Sequence, residues 1–267
     1  MAVKWRSGPA DEGRERTRPT EGRGLLRGIY IAASGLLAES ARQDVIASNL
    51  ANATTTGFKR SESTAHPFSS MLLHNMGQAG APAIGTMEMG AEVDGIDRID
   101  TQGALRFTGN GLDLALVGKG HFTIDTPGGR RYTRDGSFGL DDNGRLVTKE
   151  GNPVLGVAGP ITLDRGEVKI AADGTISQDG KVKGTLLLTG LDPASITTEG
   201  GSLYTGTANG TSPATVRQNH LESSTVNVVS EMVDLIRVMR AFEANQKSVH
   251  AHDEALQASV QKVGAVA

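Results

Sequence analysis

The apolar positions of this chain form a helical pattern at each end and a strand-like pattern between them. From Leu235 a four-three spacing runs through Met239, Phe242, Gln246, Val249, Asp253, Leu256, Val260 and Val263, and seven of these nine positions are apolar. So narrow a stripe is the seam of a coiled coil rather than the wider buried face of a globular helix. The same spacing upstream gives Leu26, Ile29, Ala33, Leu36, Ser40, Gln43, Ala47 and Leu50. The pattern predicts one amphipathic helix over Leu26–Leu50 and another over Val226–Val263, with Thr225 or Asn227 as N-cap of the second. At 1.5 Å per residue the two would span roughly 37 and 56 Å. The longer seam then exceeds what the shorter one covers, so neighbouring copies of the chain are expected to bury the remainder.

Between the helices the sequence is punctuated for strands. The run Thr54-Thr55-Thr56 disfavours helix, and Gly57 supplies a residue able to take positive φ just beyond its end. Residues 59–94, with His66-Pro67, Gly77, Gly80, Pro82, Gly85 and Gly90, predict an extended loop. Further on, Gly109-Asn110-Gly111, Pro127-Gly128-Gly129, Asp142-Asn143-Gly144, Asp173-Gly174 and Asp179-Gly180 are turn signals. They separate short β-type runs at Leu112–Val117, His121–Asp125, Arg131–Thr133, Arg145–Thr148, Glu167–Ile170 and Gly184–Leu188. Residues 200–218 read as a Gly/Ser/Thr-rich connection. The expected class is α+β: terminal helices pairing as a coiled coil, a central antiparallel all-β domain and a long loop. Its boundaries would be a disordered extension at 1–25, the N-terminal helix and its end at 26–58, the loop at 59–94, the β domain at 95–218 and the C-terminal helix at 219–267.

Charge alters this picture only at the start of the chain. The net charge of −3 does not suit a nucleic-acid binder or an anionic membrane. Residues 1–27, however, hold seven Lys/Arg against four Asp/Glu, a local +3. With Pro9, Pro19 and no apolar period, this stretch is expected to be a disordered tail. Cysteine is absent, which excludes disulfides, thiol catalysis and thiolate metal sites. No apolar run approaches ~18 residues, so no membrane insertion is expected. The N-terminus lacks the apolar stretch of a signal peptide, so export would need another route.

Candidate chemistry is thin. His250 and His252 are two residues apart on the second helix and point to different faces, so they cannot share a metal. Asp141-Asp142-Asn143-Gly144 has its glycine too early for a calcium loop and no closing glutamate. Gly136-Ser137-Phe138-Gly139 is not a hydrolase elbow. The carboxylates Asp125, Asp135, Asp141 and Asp142 are read as turn residues. No catalytic, cofactor or metal residue is therefore assigned, and no cofactor is expected. A carbohydrate-binding or hydrolytic β domain with coiled-coil arms is the alternative reading, and a closed trimeric fibre is another. The candidate assembly residues are Ile29, Ala33, Leu36, Leu50, Leu235, Met239, Phe242, Val249, Leu256 and Val260.

The run Ser48-Asn49-Leu50-Ala51-Asn52-Ala53-Thr54-Thr55-Thr56-Gly57-Phe58-Lys59 closely resembles the N-terminal signature of bacterial flagellar rod and hook proteins. Thr108–Leu116 with Tyr132–Phe138, and Leu221–Val229 with Arg240–Asn245, resemble the same family in the same order. Within it the chain looks like a rod protein of the proximal type, closely similar to the distal type, and unlike the longer hook protein. Two departures stand out. Thr225 occupies a position usually held by Asn, and residues 1–25 have no counterpart, which places the expected true start at Leu25 or Leu26. The resemblance implies a non-enzymatic axial subunit of the flagellar basal body, in the rod that crosses the periplasm, transmitting torque from motor to hook. Its implied partners are other copies, neighbouring rod proteins and the flagellar type III export apparatus, with no cleaved signal peptide. Ser48, Asn49, Leu50, Ala51, Asn52, Thr54, Gly57 and Phe58 are the signature positions this carries over.

Overall fold

Both terminal helices form. The computed structural model describes residues 21–67, 71–74, 83–87, 90–164 and 166–264, and within these α1 runs Glu21–Ala51 and α2 runs Val228–Gly264. The segment 1–20, expected to be a disordered tail, lies outside the described residues. α1 begins at Glu21, ahead of the expected Leu26, so the lengths are 31 and 37 residues, and the large overhang inferred from sequence is reduced to a few residues. Asn227 is the N-cap of α2, its Oδ1 accepting from the N–H groups of Val229 and Ser230 at 3.1 and 3.3 Å. Thr225 does not cap the helix; its Oγ1 accepts from Arg60 N at 2.9 Å.

The buried faces of the helices differ from the predicted seams by one step. On α2 the covered positions are Glu231, Leu235, Val238, Phe242, Asn245, Val249, His252 and Leu256, while Met239 and Val260 are exposed. On α1, Ala32, Val45, Ile46 and Asn49 are more buried than Ile29, Ala33, Leu36 and Leu50, which are half-buried. The physical reason lies in α1's small residues. A Cβ on Gly28 would sit 2.4 Å from His252 Nε2, and one on Gly35 would sit 2.8 Å from Asn245 Nδ2. Two missing side chains admit two polar ones, and the apolar Met239 and Val260 turn outward instead. The order of these contacts makes the helices antiparallel there.

The stretch expected to be a loop, 59–94, carries strands: β1 (Ser61–Pro67), β2 (Met71–His74), β3 (Ala83–Met87) and β4 (Ala91–Arg98), paired β1–β4 and β2–β3. Ala91-Glu92-Val93-Asp94 alternates covered and exposed positions, a period-2 signal that the surrounding glycines and charges obscure.

The central region is antiparallel throughout its named pairings. Its first strands are β5 (Leu105–Phe107), β6 (Leu114–Val117), β7 (His121–Thr126) and β8 (Gly129–Thr133). Short pairs follow, β9 (Gly139–Leu140) with β10 (Leu146–Val147) and β11 (Leu155–Gly156) with β12 (Gly159–Pro160). Next come β13 (Val168–Ile170), β14 (Thr175–Gln178) and β15 (Lys181–Thr185), which form a three-stranded sheet. The last strands are β16 (Leu188–Leu191), β17 (Thr197–Thr198), β18 (Leu203–Thr205), β19 (Ala208–Thr211), β20 (Thr215–Gln218) and β21 (His220–Glu222). A six-stranded sheet has the order β17-β18-β8-β7-β16-β19, while β20 pairs with β6 and β21 with β5. The segment 200–218, expected to be a connection, thus supplies strands. Leu114, Leu116, Phe122, Ile124, Phe138, Val154 and Ile176 lie in one buried cluster, with the Phe122 and Phe138 rings edge to face at 5.1 Å.

The chain divides into two compact units, one of residues 37–66 and 92–242, the other of residues 1–36, 67–91 and 243–267. The boundary cuts both helices. No described helix is long and apolar enough to cross a membrane.

Candidate functional site

The signature residues build a buried polar junction in the larger unit. α1 ends at Ala51, and Ser48 O accepts from both Asn52 N and Asn52 Nδ2, at 3.1 and 2.9 Å. Asn52 Oδ1 then accepts from Thr55 Oγ1 at 3.1 Å, holding the exposed Thr54 in a turn. Gly57 takes φ +69° and donates its N–H to Glu222 O at 2.8 Å. A Cβ there would lie 2.4 Å from the Arg134 carbonyl carbon, so only glycine admits this crossing. Phe58 is buried, and its O accepts from Thr225 N at 3.1 Å.

Asn49 is almost fully buried and uses both ends of its amide. Its Oδ1 accepts from Ser61 N at 3.0 Å, while Nδ2 donates to Ser61 O at 2.8 Å and Glu231 Oε2 at 3.2 Å. This is a side-chain imitation of a strand pairing, attached to the start of α2. Arg60 Nε donates to the other oxygen of Glu231 at 2.6 Å, a contact that raises the Arg60 pKa.

The second carboxylate, Glu222, collects more charge. Its Oε1 accepts from Lys59 Nζ at 2.6 Å and Gly103 N at 2.7 Å, and its Oε2 from Arg134 Nη1 at 3.2 Å. Lys59 Nζ also donates to Thr101 O at 2.5 Å, and Arg134 Nη2 to Gly118 O at 2.6 Å. All three charged side chains are buried. Burial pushes the Lys59 pKa down, against the pull of Glu222. This is a latch: the N-terminal signature, the central strands and the segment leading into α2 are tied through one carboxylate.

Beside it His121 is buried against Tyr204, rings edge to face at 5.6 Å, and Arg98 lies over the Tyr204 ring at 4.3 Å. Burial, then the Arg134 charge, lowers the His121 pKa to about 3. The unfolded chain takes up a proton near pH 6.5 that the folded one refuses, so this residue costs stability as pH falls from 6.5 towards 3. The expected slope is about 1.4 kcal/mol per pH unit inside that window. Comparing urea unfolding of the parent and His121→Phe across pH 7 to 4 tests this. The two curves should diverge on acidification, and parallel curves would refute it.

None of this is catalytic machinery. Among the described residues no cluster of His, Cys, Asp or Glu is arranged to hold a metal. His121 is closed off from solvent. Asp125, Asp135, Asp141 and Asp142 do not converge: Asp135 binds Ser137, its pKa raised by burial, and Asp141 binds Arg145 within its own turn.

Sequence reasoning located the signature but missed the charges that fasten it. Lys59, Arg134 and Glu222 lie inside the quoted motifs, but nothing local sets them apart: Arg134, for one, stands between Thr133 and Asp135 with no apolar neighbour. Of the assembly positions, Ile29, Ala33, Leu36, Leu50, Leu235, Phe242, Val249 and Leu256 are already partly covered within one chain. The open apolar face of α2 is instead Val229, Met232, Val233, Ile236 and Met239, spaced for one side of a helix. On α1, Tyr30, Ile31 and Leu37 are exposed.

Three family descriptions match the chain: "Flagella basal body rod protein" at residues 29–59, "Flagellar hook protein FlgE/F/G D1 domain" at 115–184 and "Flagellar basal body rod FlgEFG protein C-terminal" at 217–262. The chain is 34% identical to flagellar basal-body rod protein FlgG of Bacillus subtilis over 257 residues, covering 87% of this chain and 97% of the relative. It is 35% identical to FlgF of Mesorhizobium japonicum over 241 residues, covering 85% and 95%. FlgF of Caulobacter vibrioides is 34% identical over 248 residues, covering 89% and 98%. Identity to the FlgG and FlgF relatives is thus nearly equal.

Proposed function

The chain belongs to the family of flagellar basal-body rod proteins, and from that premise we propose that it enters the rod through the faces its terminal helices leave open. It is a structural subunit, not an enzyme. The observation that carries the reading is the exposed stripe Val229, Met232, Val233, Ile236 and Met239 on a helix whose opposite face is already packed. Full burial of such a side chain is worth about 1.5–3 kcal/mol, which a neighbouring copy or adjoining rod protein would supply. The exposed α1 residues Tyr30 and Ile31 would form a second, different surface. Two non-identical surfaces permit head-to-tail addition that does not close, the requirement for an open helical polymer.

In this reading antiparallel pairing of α1 and α2 continues as a coiled coil, and subunits joined along the axis transmit torque to the hook. Export proceeds without a cleaved signal peptide through the flagellar type III apparatus. The absence of cysteine suits a chain that must leave in an unfolded state.

The double substitution Met232→Glu/Ile236→Glu tests the stripe. Ile236 is 53% exposed and Met232 49%, so the folded monomer should change by no more than about 0.5 kcal/mol in urea unfolding. Sedimentation should show loss of polymer, and cells carrying the variant should lack complete rods. Normal rods in those cells would overturn the assignment. Phe242→Glu is a poorer probe, because Phe242 is half-buried and the monomer itself would suffer.

A further inference from the structure

The glycine notches of α1 and the polar side chains that fill them keep step. Gly28 and Gly35 are seven residues apart, and their occupants His252 and Asn245 are seven apart in the opposite direction. Within the larger unit Asn49 Nδ2 donates to Glu231 Oε2, fourteen residues beyond Gly35 on α1 and fourteen before Asn245 on α2. The intervening step, Arg42 and Val238, borders the same recess as Asn49 and Glu231. Seven residues are close to two turns, so the four steps fall on nearly one face of each helix.

The notches do not serve the backbone. Neither Gly28 nor Gly35 takes a positive φ, and glycine weakens a helix interior. α2 holds no glycine before Gly264, so the notches lie on one helix and the polar keys on the other. A slip of one heptad in either direction separates Asn49 from Glu231 and leaves a key without a notch. Sliding one way sets Asn245 against Arg42, and sliding the other way sets His252 against Glu21. The apolar seam does not discriminate in this way, because leucine, valine and alanine accept one another.

We propose that Gly28–His252, Gly35–Asn245 and Asn49–Glu231 are the pairs that fix the register of α1 against α2. They also decide the partner: two α2 helices meeting through this face would set key against key, with no notch to receive either. On the reading that the chain is exported unfolded, the helices meet only afterwards, and the apolar seam alone leaves open the level at which they meet. The keys supply that level, and their action within one chain does not depend on how copies associate.

Exchanging a notch with its key tests this in the full chain. Gly35→Asn puts a side chain where Asn245 stands, Asn245→Gly empties the notch, and the double variant moves the key to the other helix. The double variant has the composition of the parent, so intrinsic helix propensities nearly cancel. Each single change should lower the urea midpoint of the helical signal. The double variant should recover most of the loss, with an unfolding constant about tenfold smaller than the two single effects combined. Additive losses would overturn the pairing.

Register is read separately, because the chain has no cysteine. A Cβ on Gly35 lies 3.3 Å from Asn245 Cγ, so Gly35→Cys/Asn245→Cys should form a disulfide within one chain on mild oxidation. Gly35→Cys/His252→Cys, one heptad or about 10.5 Å out of step, should not. Comparable bridging in the two would mean that the helices slide, and would overturn the proposal. The first disulfide should form equally in the Met232→Glu/Ile236→Glu background, where only the open stripe is damaged. Its loss there would make register a product of assembly and overturn the keys.

Discussion

Glu222→Gln is expected to destabilise the larger unit by about 3–5 kcal/mol, the cost of leaving buried charges without their partner. The substitution keeps the shape of the side chain and removes one charge. Lys59 Nζ and Arg134 Nη1 then face each other's field across a neutral amide, far from water. The amide also cannot accept at both ends, so either the Gly103 N–H with Lys59 or the Arg134 contact loses its acceptor. A typical unit of this size has only about 5–15 kcal/mol in hand, so a large share of the stability goes with one residue. Urea unfolding should show a matching fall in midpoint. A loss below about 1 kcal/mol, the range of an exposed pair, would refute the latch. Lys183→Ala, which removes an ion pair to the exposed Asp164, is the matched control with little expected effect. The double variant Lys59→Met/Glu222→Gln should cost less than the sum of the two single changes, because one of the two stranded cations is gone.

Gly57→Ala carries the second large effect. The positive φ of +69° costs an L-residue about 1–2 kcal/mol by itself. A methyl group 2.4 Å from backbone adds a clash that no rotamer relieves, because the opposing atoms are the Arg134 carbonyl and the Asp135 N–H group's nitrogen. Gly180 has φ +75° with nothing within 4 Å of a Cβ, so Gly180→Ala isolates the conformational part. The difference between the two variants in thermal or urea unfolding measures the close approach. Equal losses would mean that the signature glycine serves the turn alone.

Much of this architecture is legible before any coordinates. The four-three spacing predicts both helices, Asn227 is named as a cap, and the turn pairs delimit β6, β7, β8 and β13. Three things are not legible, each for a definable reason. Periodicity gives a helix a face but does not choose between adjacent stripes; here Gly28 and Gly35 decide, by admitting His252 and Asn245 where apolar residues would be expected. Glycine-rich text hides a strand such as β20, because its pairing partner lies far away in sequence: β20 matches β6, with Gln218 opposite Leu114. The latch is hidden for the same reason. Lys59 and Glu222 stand in different motifs, and nothing local to either announces that both are buried.

That separation sets the timing of folding. The signature is complete once residue 59 is made, yet its counter-charges are Glu222 and Glu231. At about 5–20 residues per second, roughly 8–33 s of synthesis lie between the first and the second of these events. Throughout that interval Lys59 lacks the carboxylate it is hydrogen-bonded to in the fold, and Asn49 at the end of α1 lacks Glu231. Closure over so long a loop is also intrinsically slow. The nascent chain therefore keeps these two segments apart by construction until Glu222 and Glu231 have been made.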